Sequence, residues 1–141
     1  MGTTIREILG NRPVRAVTPE TTMQEAARMM AEHGVGALAV VEGDRLVGIL
    51  SERDIVFRGV GAGEEKGQTL VSEIMTAAPV TVDIEDPISD ALAMKLGNAF
   101  RHLPVMEEGR LVGLLSYRDI PTEYVILYER FREMSGANSD K

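Results

Sequence analysis

The octapeptide "GILSERDI" at 48–55 returns as "GLLSYRDI" at 113–120, sixty-five residues further on. In both copies an apolar run that reads as a strand gives way to Ser, Arg and Asp at the same spacing, where a helix would begin. Ser51 and Ser116 can cap free main-chain N–H groups, and Asp54 and Asp119, three residues on, suit the positive end of a helix. Capping gives no reason for Arg53 and Arg118. A helix start also attracts phosphate. Hydroxyl and guanidinium groups add donors, and an adjacent carboxylate can accept hydrogen bonds from the vicinal hydroxyls of a ribose. Phosphate donors beside a ribose acceptor describe a nucleotide site, with plain capping as the alternative.

Other chemistry has little to work with. A hydrolase needs a nucleophile, a positioned base and an oxyanion site. The chain has two histidines and no cysteine, and "GILSERD" is not a G-x-S-x-G elbow. No histidine pair has metal-ligand spacing, so neither an enzyme nor a metal or catalytic cofactor is expected. A net charge of −7, from 15 basic and 22 acidic residues, argues against a nucleic-acid binder. The longest apolar runs, such as "GVGALAVV", are too short to span a membrane. Arg6 stands where a myristoylation signal needs Ser or Thr. The expectation is a cytoplasmic protein with no nucleic-acid or membrane partner.

The repeat extends beyond the motif. "LAVVEGDRLVGILSERDI" (38–55) and "LPVMEEGRLVGLLSYRDI" (103–120) share twelve of eighteen positions, and "IREIL" at 5–9 lies opposite "VSEIM" at 71–75. Each unit reads as strand, helix, strand, strand, helix. "VRAV" and "VTV" are short β-branched runs, and Met23, Ala26, Ala27 and Met30 mark a helical face. Thr22 with Glu25 suggests a capping box, and Asp86–Pro87 a cap for the second copy. Hairpins turn at "GD" and "EG". The boundaries expected are 4–58 for the first unit, 59–69 for a glycine-rich linker, 70–134 for the second unit with its C-terminal helix, and 135–141 for a disordered tail. Past Pro121, Tyr124, Leu127, Tyr128 and Phe131 share one face, and the breadth of "YVILYERF" suggests an interface.

Two such units, entered through "EIL" and "EIMT" and closed by G-h-h-S-x-R-D-I, resemble a tandem pair of cystathionine β-synthase (CBS) domains, the Bateman module, over nearly the whole chain. The resemblance implies an α/β (α+β) fold: two βαββα repeats packed through their sheets about a pseudo-twofold axis, with two clefts for adenosine ligands. It implies ribose contacts from Asp54 and Asp119 and a place at the phosphate end for Ser51 and Ser116; Arg53 and Arg118 are open between phosphate donors and solvent-facing side chains in surface ion pairs. Thr76 would hold the ligand, and Val17 and Ile84 or their neighbours would line the adenine slot. Arg101 and His102 replace Gly36 and Ala37 of the first copy, so the clefts should be unequal, with the better anion site where Arg101 and His102 face. The function implied is a stand-alone sensor of an adenine nucleotide, AMP first and ATP, ADP, NAD or S-adenosylmethionine as variants. It would form a homodimer and act on an unknown effector protein. The alternative is a non-catalytic interaction module that dimerises without nucleotide.

Overall fold

The computed structural model describes residues 3–94 and 101–139. Two sheets carry the fold. The first has strand order β1-β2-β3-β4, from Ala16–Val17, Ala37–Glu42, Arg45–Ser51 and Thr76–Ala77; the second has order β5-β6-β7, from Val82–Asp83, His102–Glu107 and Arg110–Ser116. In each, a parallel pair leads into an antiparallel hairpin, β1 beside β2 and β5 beside β6, and both hairpins carry an irregularity at the same place, Val40/Val41 and Val105/Met106. The sheets meet through β3 and β7, which makes the two repeats halves of one body related by a pseudo-twofold axis. The turns fall at Gly43–Asp44 and Glu108–Gly109. Gly43 has φ 60°, and its counterpart Glu108 is held at φ 51°, a conformation that glycine adopts without strain.

Helix α2 (Met23–His33) begins as its sequence requires. The Thr22 hydroxyl accepts from the Glu25 N–H while the Glu25 carboxylate accepts from the Thr22 N–H, and Met23, Ala26 and Met30 are buried. Helix α4 (Ile88–Met94) is entered differently. Asp86 does not cap it; its carboxylate accepts from the Asp83 N–H and closes the preceding turn.

The opening helices are exchanged. Helix α1 (Ile5–Leu9) precedes the first sheet in sequence, yet Ile5 and Leu9 pack with Val82, Ile84, Ile88, Leu103 and Leu115 of the second half. Helix α3 (Val71–Ile74) packs with Val17, Met23, Leu38 and Leu50 of the first. Main-chain bonds match: the Ile5 N–H donates to Asp86 O at 3.0 Å and Arg6 to Ile84 O at 2.9 Å, while Val71 donates to Thr21 O at 2.8 Å and Ser72 to Pro19 O at 3.1 Å. Two glycines make room for this. A Cβ on Gly113 would lie 2.8 Å from a Leu9 methyl, and one on Gly48 would lie 2.9 Å from the Thr76 carbonyl oxygen. Both cores therefore draw on both repeats.

Beyond each hairpin the halves diverge. After β3 the chain passes through a π-helical turn, Asp54–Gly59, and a 3-10 turn, Val60–Ala62. The stretch read as linker is thus helical at its start, and Gly59 is buried there. Gly61 is required, because a Cβ would sit 2.7 Å from the Val56 carbonyl oxygen. After β7 a 3-10 turn, Tyr117–Asp119, is followed by Pro121 and the long helix α5 (Thr122–Ser139), which occupies most of the stretch read as a tail. Tyr124, Val125 and Tyr128 pack on the second core. Leu127 and Phe131, expected on that face, are 61% and 67% exposed. Among the described residues no helix is long and apolar enough to cross a membrane.

Candidate functional site

The repeated Ser-x-x-Asp stands at the end of each hairpin, where the backbone turns from strand to helix. In the first copy the Ser51 N–H donates to Asp54 Oδ2 at 2.9 Å and the Asp54 N–H donates to Ser51 Oγ at 3.1 Å. In the second, the Ser116 N–H donates to Asp119 Oδ2 at 2.7 Å and the Arg118 N–H to Ser116 Oγ at 3.2 Å. One carboxylate oxygen of each aspartate is thereby tied to the main chain. The other is left for a side-chain or ligand partner, so capping and binding are compatible. The two carboxylates are 12% and 17% exposed.

Each aspartate lines a cavity of the size that takes small organic ligands. The Asp119 cleft, about 570 Å³, is walled by Ser116, Arg118 and Leu114 on one side and by Arg12, Pro13, Val14 and Arg15 on the other, with His33 and Gly36 at its end. The Asp54 cleft, about 540 Å³, is walled by Ser51, Arg53 and Ile49 on one side and Thr76, Ala78, Pro79 and Val80 on the other, with Arg101. His102 borders both. The pseudo-twofold axis thus relates Asp119 to Asp54, Ser116 to Ser51, Pro13 to Pro79, and Gly36 to Arg101.

The structure gathers nine of the eleven residues singled out from sequence into these clefts: Ser116, Arg118 and Asp119 in one, Ser51, Arg53, Asp54, Thr76 and Arg101 in the other, and His102 in both. Val17 and Ile84 are elsewhere. They are 6% and 7% exposed, each inside one of the two cores, and the apolar cleft positions belong instead to their upstream neighbours Val14 and Val80. Strands of two residues, Ala16–Val17 and Val82–Asp83, are too short to show an alternation from which to tell a lining residue from a core residue.

The charges also depart from expectation. Arg101 does face the Asp54 cleft, but Glu52 and Asp54 are there with Arg53 and Arg101. Among the described residues the Asp119 cleft holds three arginines, Arg12, Arg15 and Arg118, against one carboxylate. The surplus positive charge therefore lies opposite to where "FRHLPV" suggested. Arg12 and Arg15 were legible in one comparison: with "IREIL" placed against "VSEIM", Arg12 falls opposite Ala78 and Gly10 opposite Thr76.

The arginines make different contacts. Arg12 donates from a terminal guanidinium nitrogen to Asp119 Oδ1 at 2.7 Å and from Nε to the Leu9 carbonyl at 3.2 Å. On the other side, Arg58 approaches Asp54 Oδ1 only to 3.8 Å and gives a hydrogen bond to the Met75 carbonyl. The Arg53 guanidinium lies 5.1 Å from the centroid of the Phe57 ring. Burial holds the His102 imidazole below its ordinary value of 6.5; Glu52 and Asp119 oppose this and Arg118 and Arg101 reinforce it. Burial thus favours the neutral form of His102.

Comparison with known proteins follows the same outline. The family model described as "CBS domain" matches residues 5–61 and again 71–124. The CBS domain-containing protein YhcV of Bacillus subtilis is 38% identical over 107 residues, 76% of each chain. An inosine-5'-monophosphate dehydrogenase of Korarchaeum cryptofilum is 39% identical over 110 residues, which are 77% of this chain but 22% of that enzyme. Among solved structures, the CBS domain protein PAE2072 from Pyrobaculum aerophilum complexed with AMP superimposes with a TM-score of 0.78 at 31% identity, covering 90% of this chain and 97% of that one.

Proposed function

The chain belongs to the CBS domain family, and from that premise we propose that it is a regulatory module that binds an adenine nucleotide, AMP foremost, in its clefts and acts on a separate effector protein. The observation that carries this reading is the duplicated carboxylate. Asp54 and Asp119 each commit Oδ2 to the main chain, leave Oδ1 for a side-chain or ligand partner, and line a cavity that also contains arginine. That pairing of ribose acceptor and phosphate donor suits a nucleoside phosphate, and the similar PAE2072 protein was crystallised with AMP. Ser51, Thr76, Arg53 and Arg101 would serve the ligand in one cleft, Ser116 and Arg118 in the other, and His102 both. A ligand that favours one arrangement of the two halves over another would alter what the module presents to its effector.

The test is thermal unfolding with AMP, ADP, ATP, NAD, S-adenosylmethionine and GMP. A ligand at a hundred times its dissociation constant adds about 2.7 kcal/mol, a shift of several degrees for a chain of this size. An adenine-selective shift, lost when both aspartates are replaced by alanine, is the expected result. No shift with any of the six would defeat the reading.

A specific feature favours a second component, self-association. The helical segments after the two hairpins expose apolar side chains: Val56, Phe57 and Val60 on one, Ile126, Leu127, Phe131 and Met134 on the other. Monomeric proteins seldom leave such stripes uncovered, and pairing with a second copy is the economical way to cover them. Sedimentation equilibrium should give a dimer that Phe131→Glu weakens. A dimer indifferent to every nucleotide would favour the interaction module over the sensor.

A further inference from the structure

The two clefts differ in one contact that bears on which ligands each accepts. In the Asp119 cleft, the carboxylate oxygen needed by a ribose is already taken by Arg12 at 2.7 Å. In the Asp54 cleft the corresponding position is Ala78, and the nearest cation, Arg58 Nε, stays at 3.8 Å from Asp54 Oδ1. We propose that Arg12 makes the Asp119 cleft phosphate-dependent: a nucleoside binds there only by displacing Arg12 from Asp119, and only a ligand carrying phosphate gives the displaced guanidinium a new partner.

The inference rests on the nucleotide reading above and specifies which ligands one of its sites takes. A ribose diol donates to a carboxylate, so it competes directly with the Arg12 donor for Asp119 Oδ1. A neutral nucleoside replaces an ion pair with hydrogen bonds from uncharged hydroxyls and gives the displaced arginine no anion in exchange. A nucleoside phosphate offers the same arginine an anion in planar, two-pronged geometry. Arg15 and Arg118 line the same cavity and add to its preference for negative charge. They also disfavour a cationic adenosyl ligand such as a sulfonium. The Arg12 side chain is half exposed and can swing without disturbing the core. The Asp54 cleft has Thr76 where the other has Gly10, balances its arginines with Glu52, and asks for no such exchange.

The exchange predicts opposite changes from one substitution. Isothermal titration calorimetry with AMP and with adenosine would compare the full-length chain with Arg12→Ala and Arg12→Gln, all carrying Asp54→Asn so that the heat reports the Asp119 cleft. Losing a charge-assisted bond to phosphate costs AMP about tenfold, which the release of Asp119 offsets in part, so AMP should weaken by about twofold or more and the AMP-to-adenosine affinity ratio should fall about tenfold. Freeing Asp119 from a partly exposed ion pair should strengthen adenosine by up to about fivefold. Arg12→Gln, which keeps a donor but no charge, should show the same signs with smaller amplitude. Equal weakening of both ligands, or an unchanged ratio, overturns the exchange while leaving the nucleotide reading intact. If the unsubstituted chain binds no AMP at all, the nucleotide reading fails and the exchange falls with it.

Discussion

The Asp54 and Asp119 clefts share a backbone device and differ in what surrounds it. Both begin with a Ser-x-x-Asp turn in which one carboxylate oxygen is held by the serine N–H. On the far wall, Arg12 stands opposite Ala78 and Gly10 opposite Thr76. On the near side, Gly36 and the buried Ala37 stand where the other copy has Arg101 and His102, and a Cβ on Gly36 would lie 3.0 Å from the Glu52 carboxylate and 3.5 Å from His102. The two copies share the turn, which ties the carboxylate to the main chain, and differ in the walls around it. Equivalent backbone therefore does not mean equivalent ligand preference, and one site can be altered without the other.

The glycines under the hairpins offer the largest test of how alike the halves are. Gly48→Ala would drive a methyl to 2.9 Å from a backbone oxygen of Thr76, whereas Gly113→Ala meets a terminal methyl of the Leu9 side chain, which can turn about its own bonds. Overpacking costs about 1–3 kcal/mol, so in urea unfolding Gly48→Ala should fall near the top of that range and Gly113→Ala near the bottom. Equal costs would mean that the two close approaches are alike after all.

The aspartates can be dissected next. Replacement by alanine removes the turn's cap and should cost about 1 kcal/mol in either copy. Asparagine keeps an acceptor for the serine N–H and should retain most of that stability while losing the charge. Asp54→Asn and Asp119→Asn, each folded and titrated with AMP, would then show which carboxylate the ligand uses. Unaltered AMP binding in both would reduce these residues to caps.

His102 belongs to both clefts and should make stability depend on pH. Burial keeps its folded pKa below the ordinary 6.5, so the folded chain binds fewer protons at this site than the unfolded chain. Its stability is then fully present above that ordinary value and is lost as pH falls from it toward the folded one. The melting temperature should decline from pH 7 to pH 5 less steeply in His102→Asn. An anion in either cleft favours the protonated imidazole, so AMP should bind more tightly at pH 6 than at pH 7.5, and this dependence should also weaken in the variant.

The smallest expected effect is at the hairpin turns. Glu108 occupies the left-handed conformation that Gly43 supplies in the first half. Glu108→Gly relieves that strain but loosens the unfolded chain, for a net gain of about 0.5 kcal/mol or less. A loss instead would point to a use for the Glu108 side chain.

Much of this architecture was legible because local signals repeat. The Thr22–Glu25 box, the two-residue turns and the twelve shared positions around the serine motif fix the elements and their order without tertiary information. The opening helices could not be assigned this way: "IREIL" and "VSEIM" look alike, and nothing local says that each is buried in the opposite half. The apolar breadth of "YVILYERF" marked a helix with more than one greasy side. Which side turns inward was decided by Tyr124, Val125 and Tyr128 meeting the second core. Arg12 and Arg15 lay in a segment whose match to the second copy needs a one-residue gap; placing "IREIL" against "VSEIM" already sets Arg12 opposite Ala78, but only the folded chain brings Arg12 to Asp119. The π-helical turn had no sequence signal beyond Gly61, whose need is a contact with Val56.

The exchanged helices bear on how such a chain comes into being. On the ribosome, Ile5 and Leu9 emerge more than seventy residues before Val82, the first strand residue of the core that buries them. The first-half core, by contrast, can close once Ile74 is out. Helix α1 thus waits until the second half has emerged, and non-local closure of this kind slows folding. Either half made alone would lack one helix and carry a near copy of it. Two identical halves could fill each other's gap, so the chain is laid out like two subunits joined end to end, its linker replacing encounter in solution with a tether.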